Sequence, residues 1–261
     1  METFPIESDA VPSGYNGWLV FLDEFTSAPK AVQAAAYRLV LDRQVGPYSL
    51  HKKVAIVCAG NLDTDNAIVE EMSTAMQSRL IHMEMVVDHN LWLDWATSNA
   101  VDHRIVSYIR LKPDNIYTFK PDHTDHTYGS PRTWEFANRL VKDLPVTRED
   151  LPLLAGTLGE GLANEFITFC QIYRDLPTIQ QIVANPSGTP VPQEPSTLFA
   201  LSGSMGTHAT EDTIDALITY AYRLPIEFQI IALRDAIRRN EDLKKTKAVR
   251  EWIVRNANEL Y

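Results

Sequence analysis

The sequence has few of the features that mark secreted, membrane-spanning or nucleic-acid-binding proteins. Two cysteines, Cys58 and Cys170, occur in 261 residues, which excludes a disulfide framework and favours a reducing, cytoplasmic environment. Apolar stretches stay well short of the roughly 18 residues that a membrane span needs. The first residues resemble no secretory leader. Since the formal net charge is −10, we expect neither a membrane nor a nucleic-acid partner.

What the sequence does contain is an early apolar run that ends in two carboxylates. Residues 18–24 are predicted to form a buried parallel strand, in which five apolar residues, Trp18–Leu22, run directly into Asp23 and Glu24. Open α/β sheets place ligand chemistry beyond the C-terminal ends of their strands. One acid can then support a hydrated Mg²⁺ ion while the other orients or deprotonates an attacking water. On its own, the pattern also fits a strand that ends in a solvated acidic turn.

Two further strands are predicted in the first third of the chain. Val54–Ala59 is a second continuous apolar run, and it ends at Gly60-Asn61. Leu80–Val87 alternates apolar and polar residues with the period of two that is typical of a strand. An asparagine at the tip of the second strand, beside the acids of the first, can hydrogen-bond both a γ-phosphate and the attacking water. The sequence therefore predicts that Asn61 lies near the acidic pair.

Helical periodicity governs the rest of the chain. After the first strand, apolar residues recur from Val32 to Val40, and Ser27 is placed to cap that helix. Further helices are predicted at about 65–78, 89–98, 101–111, 131–143, 159–173, 177–184, 211–222, 225–239 and 246–259, with a proline-rich loop at 185–195. We therefore predict an α/β segment over 1–87, a small helical domain over 88–145 and a helical C-terminal region over 146–261.

The motifs that follow the acidic pair resemble, in their order, those of the AAA+ ATPases. The closest similarity is to the MoxR-type branch, including MoxR-like ATPases carried by bacteriophages; it is good over 18–87 and looser over 88–143. The matching segments are Phe21–Ala35 for the Walker B strand and its helix, Ala55–Asn61 for the sensor 1 strand, Ala75–Leu80 for the arginine-finger segment and Ser130–Arg132 for the sensor 2 motif.

The resemblance implies a role for each matching residue. Asp23 would be the Mg²⁺-supporting Walker B acid, Glu24 the catalytic base and Asn61 the sensor 1 residue. Arg79 would reach the nucleotide of a neighbouring subunit, and Arg132 would bind the γ-phosphate, because a guanidinium stabilises phosphoryl charge in a geometry that lysine cannot match. ATP and Mg²⁺ are the implied cofactors. A homo-oligomeric ring, typically a hexamer, and a remodelled protein client, such as a von Willebrand A-domain protein, are the implied partners.

One half of the family's machinery has no counterpart in the sequence. The phosphate-cradling loop G-x-x-x-x-G-K-[ST] does not occur, and Gly203–Thr207 lacks the lysine that such a loop needs. We therefore expect only the third, fourth and fifth strands of a P-loop NTPase core, and little ATP affinity for this chain alone. Three interpretations stay open: the C-terminal portion of a longer ATPase, a non-hydrolysing relative that binds or regulates a partner, or a helical adaptor whose function lies in 146–261.

Overall fold

The structure is a computed structural model, and it describes residues 4–62, 70, 72–173 and 176–257. The chain forms two compact units, Met1–Met85 with Lys120–His123, and Val86–Phe119 with Thr124–Tyr261. In the described residues the first unit carries the β-strands and the second is helical. The expected α/β class is confirmed, because the described residues contain both strands and helices.

The first unit is built on two parallel strands. β1 (Trp18–Leu22) pairs with β4 (Val54–Cys58) in a register that sets Leu22 opposite Cys58. Between these strands in the sequence, the chain forms a short antiparallel hairpin of β2 (Gln44–Val45) and β3 (Tyr48–Ser49). The first two predicted strands are therefore confirmed, and they are direct neighbours.

One face of this sheet is covered and the other is open. α1 (Lys30–Val40) places Leu39 against the buried side chains of both strands. On the opposite face Leu19, Phe21 and Val57 are 65%, 55% and 45% exposed. Parallel sheets are normally covered on both faces. The described residues therefore supply one of the two layers that such a sheet requires.

The predicted third strand, Leu80–Val87, is wrong for this structure. The segment has no regular secondary structure, although its apolar residues do alternate. Ile81, Met83 and Met85 are 91%, 86% and 97% exposed. A strand needs a neighbour with which to pair its backbone N–H and C=O groups. The described residues offer this segment none.

The helix predicted over 65–78 is confirmed only at its end. α2 (Thr74–Gln77) begins after Ser73, whose hydroxyl accepts a hydrogen bond from the Met76 N–H. Residues 65–69 and 71 of the prediction lie outside the described part of the chain.

Helices make up the second unit. They are α3 (His89–Ser98), α4 (His103–Leu111), α5 (Pro131–Val141), α6 (Leu151–Leu158), α7 (Glu160–Ile172), α8 (Ile179–Ala184), α9 (Pro195–His208), α10 (Ile214–Ala221), α11 (Ile226–Arg239) and α12 (Lys247–Arg255). Sequence analysis missed α6 and α9. Both have a proline in the first turn, where its missing N–H costs no hydrogen bond. Among the described helices, none combines the length and the apolar character needed to cross a membrane.

The core of the helical unit crosses the predicted boundary at residue 145. One hydrophobic cluster contains Trp92, Ile105 and Trp134 from before it and Leu154 and Phe166 from after it. The division into a small helical domain over 88–145 and a helical C-terminal region over 146–261 stays a prediction.

The glycines of α9 allow two other helices to approach closely. A Cβ atom at Gly203 would lie 2.1 Å from the Ser107 hydroxyl of α4. A Cβ atom at Gly206 would lie 2.7 Å from the Asp235 Cβ and 3.0 Å from the Ala232 carbonyl oxygen, both on α11. Gly203–Thr207 therefore lies inside a packed helix, in agreement with its exclusion as a phosphate loop.

Replacing Gly206 by alanine should destabilise the protein by about 1–3 kcal/mol, because the added methyl group meets backbone that cannot rotate away. Chemical unfolding followed by circular dichroism measures the change. Gly156→Ala is the matched control, since nothing beyond its own helix backbone lies within 4 Å of the added Cβ. A helical Gly→Ala change of that kind should stabilise by about 0.5–1 kcal/mol. Equal stability of the two variants would contradict the close packing.

His103 is a buried histidine of the helical unit, and we expect it to make this unit sensitive to acid. The His103 ring lies 5.0 Å from the Tyr173 ring and 5.7 Å from the His208 ring. Its Nδ1 has no hydrogen-bond partner among the described residues. Burial lowers the pKa of His103 from 6.5 to about 4, against the opposing effect of Asp102. The folded protein therefore excludes a proton that the unfolded chain accepts.

The neutral, buried His103 ring contributes its full share to the free energy of unfolding above pH 6.5. This contribution is lost as the pH falls through about 4. The loss from this group should reach about 3 kcal/mol. Unfolding free energies measured across that range should fall less steeply for His103→Gln. The exposed His126 offers the control His126→Gln, whose profile should follow that of the unmodified protein. An unchanged slope in His103→Gln would show that His103 does not cause the acid sensitivity.

Candidate functional site

The ends of β1 and β4 bring Glu24 and Asn61 together. Beyond the last strand pair, the Ala59 N–H donates to the Leu22 carbonyl at 2.9 Å, and the Phe25 N–H donates to the Ala59 carbonyl at 2.7 Å. The Asn61 side-chain amide then donates to Glu24 Oε2 at 3.3 Å. The proximity predicted from the sequence is present. The chemical roles of these residues stay predictions.

Glu24 has a backbone conformation that is uncommon for a residue with a side chain. Its φ and ψ are 52° and 35°, in the left-handed region, at a cost of roughly 1–2 kcal/mol. Asp23 Oδ1 accepts a hydrogen bond from the Glu24 N–H at 3.0 Å, and the Ser27 hydroxyl donates to Glu24 Oε2 at 2.9 Å. Ser27 therefore orients the carboxylate, while Pro29 holds the N-cap position of α1 that was predicted for Ser27. Backbone strain of this kind concentrates at functional sites.

Thr26 fixes the backbone of Asn61. Its hydroxyl accepts from the Asn61 N–H at 3.0 Å and donates to the Asn61 carbonyl at 3.2 Å. Gly60 permits this contact, because a Cβ there would lie 2.3 Å from Thr26 Oγ1. Sequence analysis missed the positioning roles of Thr26 and Ser27. Two hydroxyl residues within one turn of the acids were a signal, but no local spacing connects Thr26 to a residue 35 positions away.

The carboxylate oxygens of Asp23 are suitable ligands for Mg²⁺. Asp23 is exposed, and Oδ2 accepts no hydrogen bond from the described residues. Mg²⁺ keeps several waters and commonly takes one or two protein carboxylates together with phosphate oxygens. Across the described residues, no group of three or more His, Cys, Asp or Glu side chains forms a complete metal cage. A magnesium ion at Asp23 would therefore be held largely by water and phosphate.

The two arginines of the predicted site lie in different units, and Arg79, in the same unit as the acidic pair, makes no hydrogen bond to it. Arg79 follows α2, is exposed, and donates from Nη1 to the Ala75 carbonyl at 2.7 Å. Arg132 lies in the second unit, in the first turn of α5, after the capping residue Ser130. It is exposed and has no hydrogen bond or ion pair with another described residue. Both side chains are exposed, and their assigned roles stay predictions.

Comparison with known proteins gives no match. No protein-family model matches the chain, and no curated protein or solved structure is significantly similar to it. The interpretation of the site therefore depends on its geometry and on the sequence resemblance.

Replacing Thr26 by valine keeps the shape of the side chain but removes both hydrogen bonds to Asn61. We expect a local loss of about 1 kcal/mol, seen as roughly fivefold faster hydrogen exchange at the Asn61 amide. Thr26→Ser keeps the hydroxyl and should exchange as the unmodified protein does. Equal exchange rates in the valine and serine variants would show that Thr26 does not hold Asn61 in place.

Proposed function

We propose that the first unit is part of an ATP-hydrolysing module of the AAA+ type, similar to the MoxR-like branch. The observation that carries this proposal is the contact between Glu24 and Asn61 at the C-terminal edge of two parallel strands. A carboxylate there can take a proton from an attacking water, and an adjacent amide can orient the same water. The strained, hydrogen-bonded position of Glu24 supports a chemical role over a solvated acidic turn.

Each residue has one task in this proposal. Glu24 accepts the proton of the attacking water, and Asn61 fixes the direction of that water. Asp23 holds the hydration shell of Mg²⁺, which would neutralise charge on the phosphate oxygens when bound. Arg79, reaching into a neighbouring subunit, and Arg132 supply the guanidinium groups that stabilise the transferring phosphoryl group. A homo-oligomeric ring that remodels a protein client, with von Willebrand A-domain proteins as candidates, belongs to the same proposal.

The open sheet supports the second part of the proposal, which is that another stretch of polypeptide completes the module. The sequence contains no phosphate-cradling G-x-x-x-x-G-K-[ST] loop. One sheet face is uncovered at Phe21, and the apolar side chains around Met83 have no partner layer in the described residues. A polypeptide that supplies the phosphate loop would cover these surfaces as well. Alone, this chain should bind ATP weakly or not at all.

A non-hydrolysing binding or regulatory adaptor is the second candidate function. The missing phosphate loop favours it, because backbone amides and the loop lysine supply much of the affinity for β- and γ-phosphates. It differs from the first candidate in requiring no chemistry at Glu24.

The Glu24→Gln variant separates the two candidates. In the module completed by the loop-bearing polypeptide, the variant should still bind ATP, but its turnover number should fall at least about 100-fold because the base is lost. Steady-state phosphate release and equilibrium ATP binding measure the two effects. Asp42→Asn, which removes an exposed acid at the end of α1, is the matched control and should leave both unchanged.

Two outcomes would contradict the ATPase proposal. One is unchanged turnover in Glu24→Gln. The other is that no polypeptide with a phosphate loop, whether it is encoded in frame upstream or beside the gene, gives ATP hydrolysis when it is combined with this chain. Tight Mg·ATP binding by this chain alone would overturn the part of the proposal that calls for a completing polypeptide.

A further inference from the structure

Two histidines meet where one helix of the helical unit begins and another ends. His103 is the first residue of α4, and His208 is the last residue of α9. Their ring centroids lie 5.7 Å apart, and the ring planes are inclined at 71°. Neither histidine belongs to the proposed ATPase residues. The pair is therefore a separate feature that the proposed function does not explain.

His208 is held in the way that is typical of a metal-binding histidine. Its Nδ1 lies 2.8 Å from the Ser204 carbonyl oxygen. Because a carbonyl can only accept, Nδ1 carries the proton, and Nε2 of the neutral ring keeps its lone pair. Histidines that bind metals usually donate their other ring N–H to a carbonyl or a carboxylate, which fixes the ring. The residue is exposed, so an ion can reach it from solvent.

His103 has a ring nitrogen without a partner. Its Nδ1 is buried and makes no hydrogen bond to a described residue. Buried polar atoms of this kind are rare, and a bound water or ion is one explanation for them. Burial lowers the pKa of His103 to about 4, so the ring is neutral near pH 7. A neutral imidazole is the form that binds a metal ion.

The distance between the rings fits one shared ion. A ring nitrogen binds Zn²⁺ at about 2.0–2.1 Å, so two rings on the same ion have centroids roughly 4.5–6.5 Å apart. The observed 5.7 Å lies in this range. In the described part of the chain, no group of three or more His, Cys, Asp or Glu side chains could hold a metal ion. Water would therefore fill the remaining coordination positions.

The charged groups around His103 restrict the kind of ion. Asp102 is bound by Arg104, whose Nε donates to Oδ1 at 2.9 Å and whose Nη2 donates to Oδ2 at 2.6 Å. Arg239 adds a positive charge near His103, and its Nη2 donates to the Val101 carbonyl at 2.8 Å. Mg²⁺ and Ca²⁺ need oxygen ligands, which this surrounding does not offer freely. Imidazole suits Cu²⁺, Ni²⁺ and Zn²⁺ instead.

We propose that His103 and His208 together bind one divalent transition-metal ion of the Cu²⁺, Ni²⁺ or Zn²⁺ class. Each ring supplies one nitrogen, and the ion connects the start of α4 to the end of α9. The inference goes beyond the proposed ATPase function and needs neither ATP nor a completing polypeptide.

Thermal unfolding of the untagged full-length chain, followed by circular dichroism with each metal ion alone, tests the proposal. About 100 µM Cu²⁺ should raise the unfolding midpoint by about 2–4 °C, because the ion binds the folded state. Ni²⁺ and Zn²⁺ should have smaller effects, in keeping with their weaker binding to nitrogen ligands, and Mg²⁺ none. Electron paramagnetic resonance of the bound Cu²⁺ should show nitrogen coupling from two imidazole rings.

Histidine variants locate the site. His208→Gln changes an exposed residue and should fold normally, but its Cu²⁺ affinity should fall at least about tenfold because one of two protein ligands is lost. His103→Gln should have the same effect on Cu²⁺ binding. The matched control is His126→Gln, which removes an exposed histidine from the loop that also contains His123, and it should bind Cu²⁺ as the unmodified chain does.

Three results would overturn the proposal. The first is an unfolding midpoint that none of the three transition metals raises, which would leave the two rings in an aromatic contact only. The second is equal Cu²⁺ affinity in His208→Gln and the unmodified chain. The third is loss of Cu²⁺ binding in His126→Gln, which would assign the ion to the loop instead.

Discussion

The candidate site depends on the in-register parallel pairing of β1 with β4. Parallel neighbours deliver the residues that follow them to the same edge of the sheet. Glu24 and Asn61, 37 positions apart in the chain, therefore come within hydrogen-bonding distance. The Phe25–Ala59 backbone bond and the bonds between Thr26 and Asn61 continue that pairing past the strands. A slip in register would separate the carboxylate from the amide.

The apolar face of the sheet and the acids beyond its strands are both exposed, and in the proposed function both would have to be covered. A carboxylate that activates water acts best in a site from which bulk water is excluded. Glu24 is exposed, and Leu19 and Phe21 on the preceding strand β1 lie on an uncovered face. In the proposed module, the completing polypeptide would both cover the apolar face and enclose the catalytic groups. Folding and activity would then require the same partner.

The helical unit is held together differently, by close helix packing and a buried ion pair. α9 approaches α4 and α11 through its glycines, and Arg110 of α4 binds Asp235 of α11 in a bidentate pair at 2.5 and 2.6 Å. These side chains are 5% and 3% exposed, so losing either partner would leave a buried charge unpaired. Ile182 of α8 and Tyr220 of α10 share a hydrophobic cluster with α9.

Sequence patterns predicted the elements whose structure depends on local periodicity. They located β1, β4 and most of the helices, and they placed Asn61 beside the acidic pair through the geometry of parallel strands. They failed at Leu80–Val87, because alternation alone does not make a strand without a neighbour to pair with. They also missed α6 and α9, whose prolines suggested loops but stand in the first turn, where helices accept them.

The sequence by itself determined which segments are apolar, where β1, β4 and most of the helices form, and that Asn61 lies near the acidic pair. Only the tertiary structure decided that Thr26 and Ser27 position Asn61 and Glu24, that one sheet face is uncovered, and that Gly203 and Gly206 bring three helices together. The physical reason is the distance along the chain over which each effect acts. Periodicity and capping act within a few residues, whereas register, close approach and burial depend on partners that lie tens of residues away in the chain.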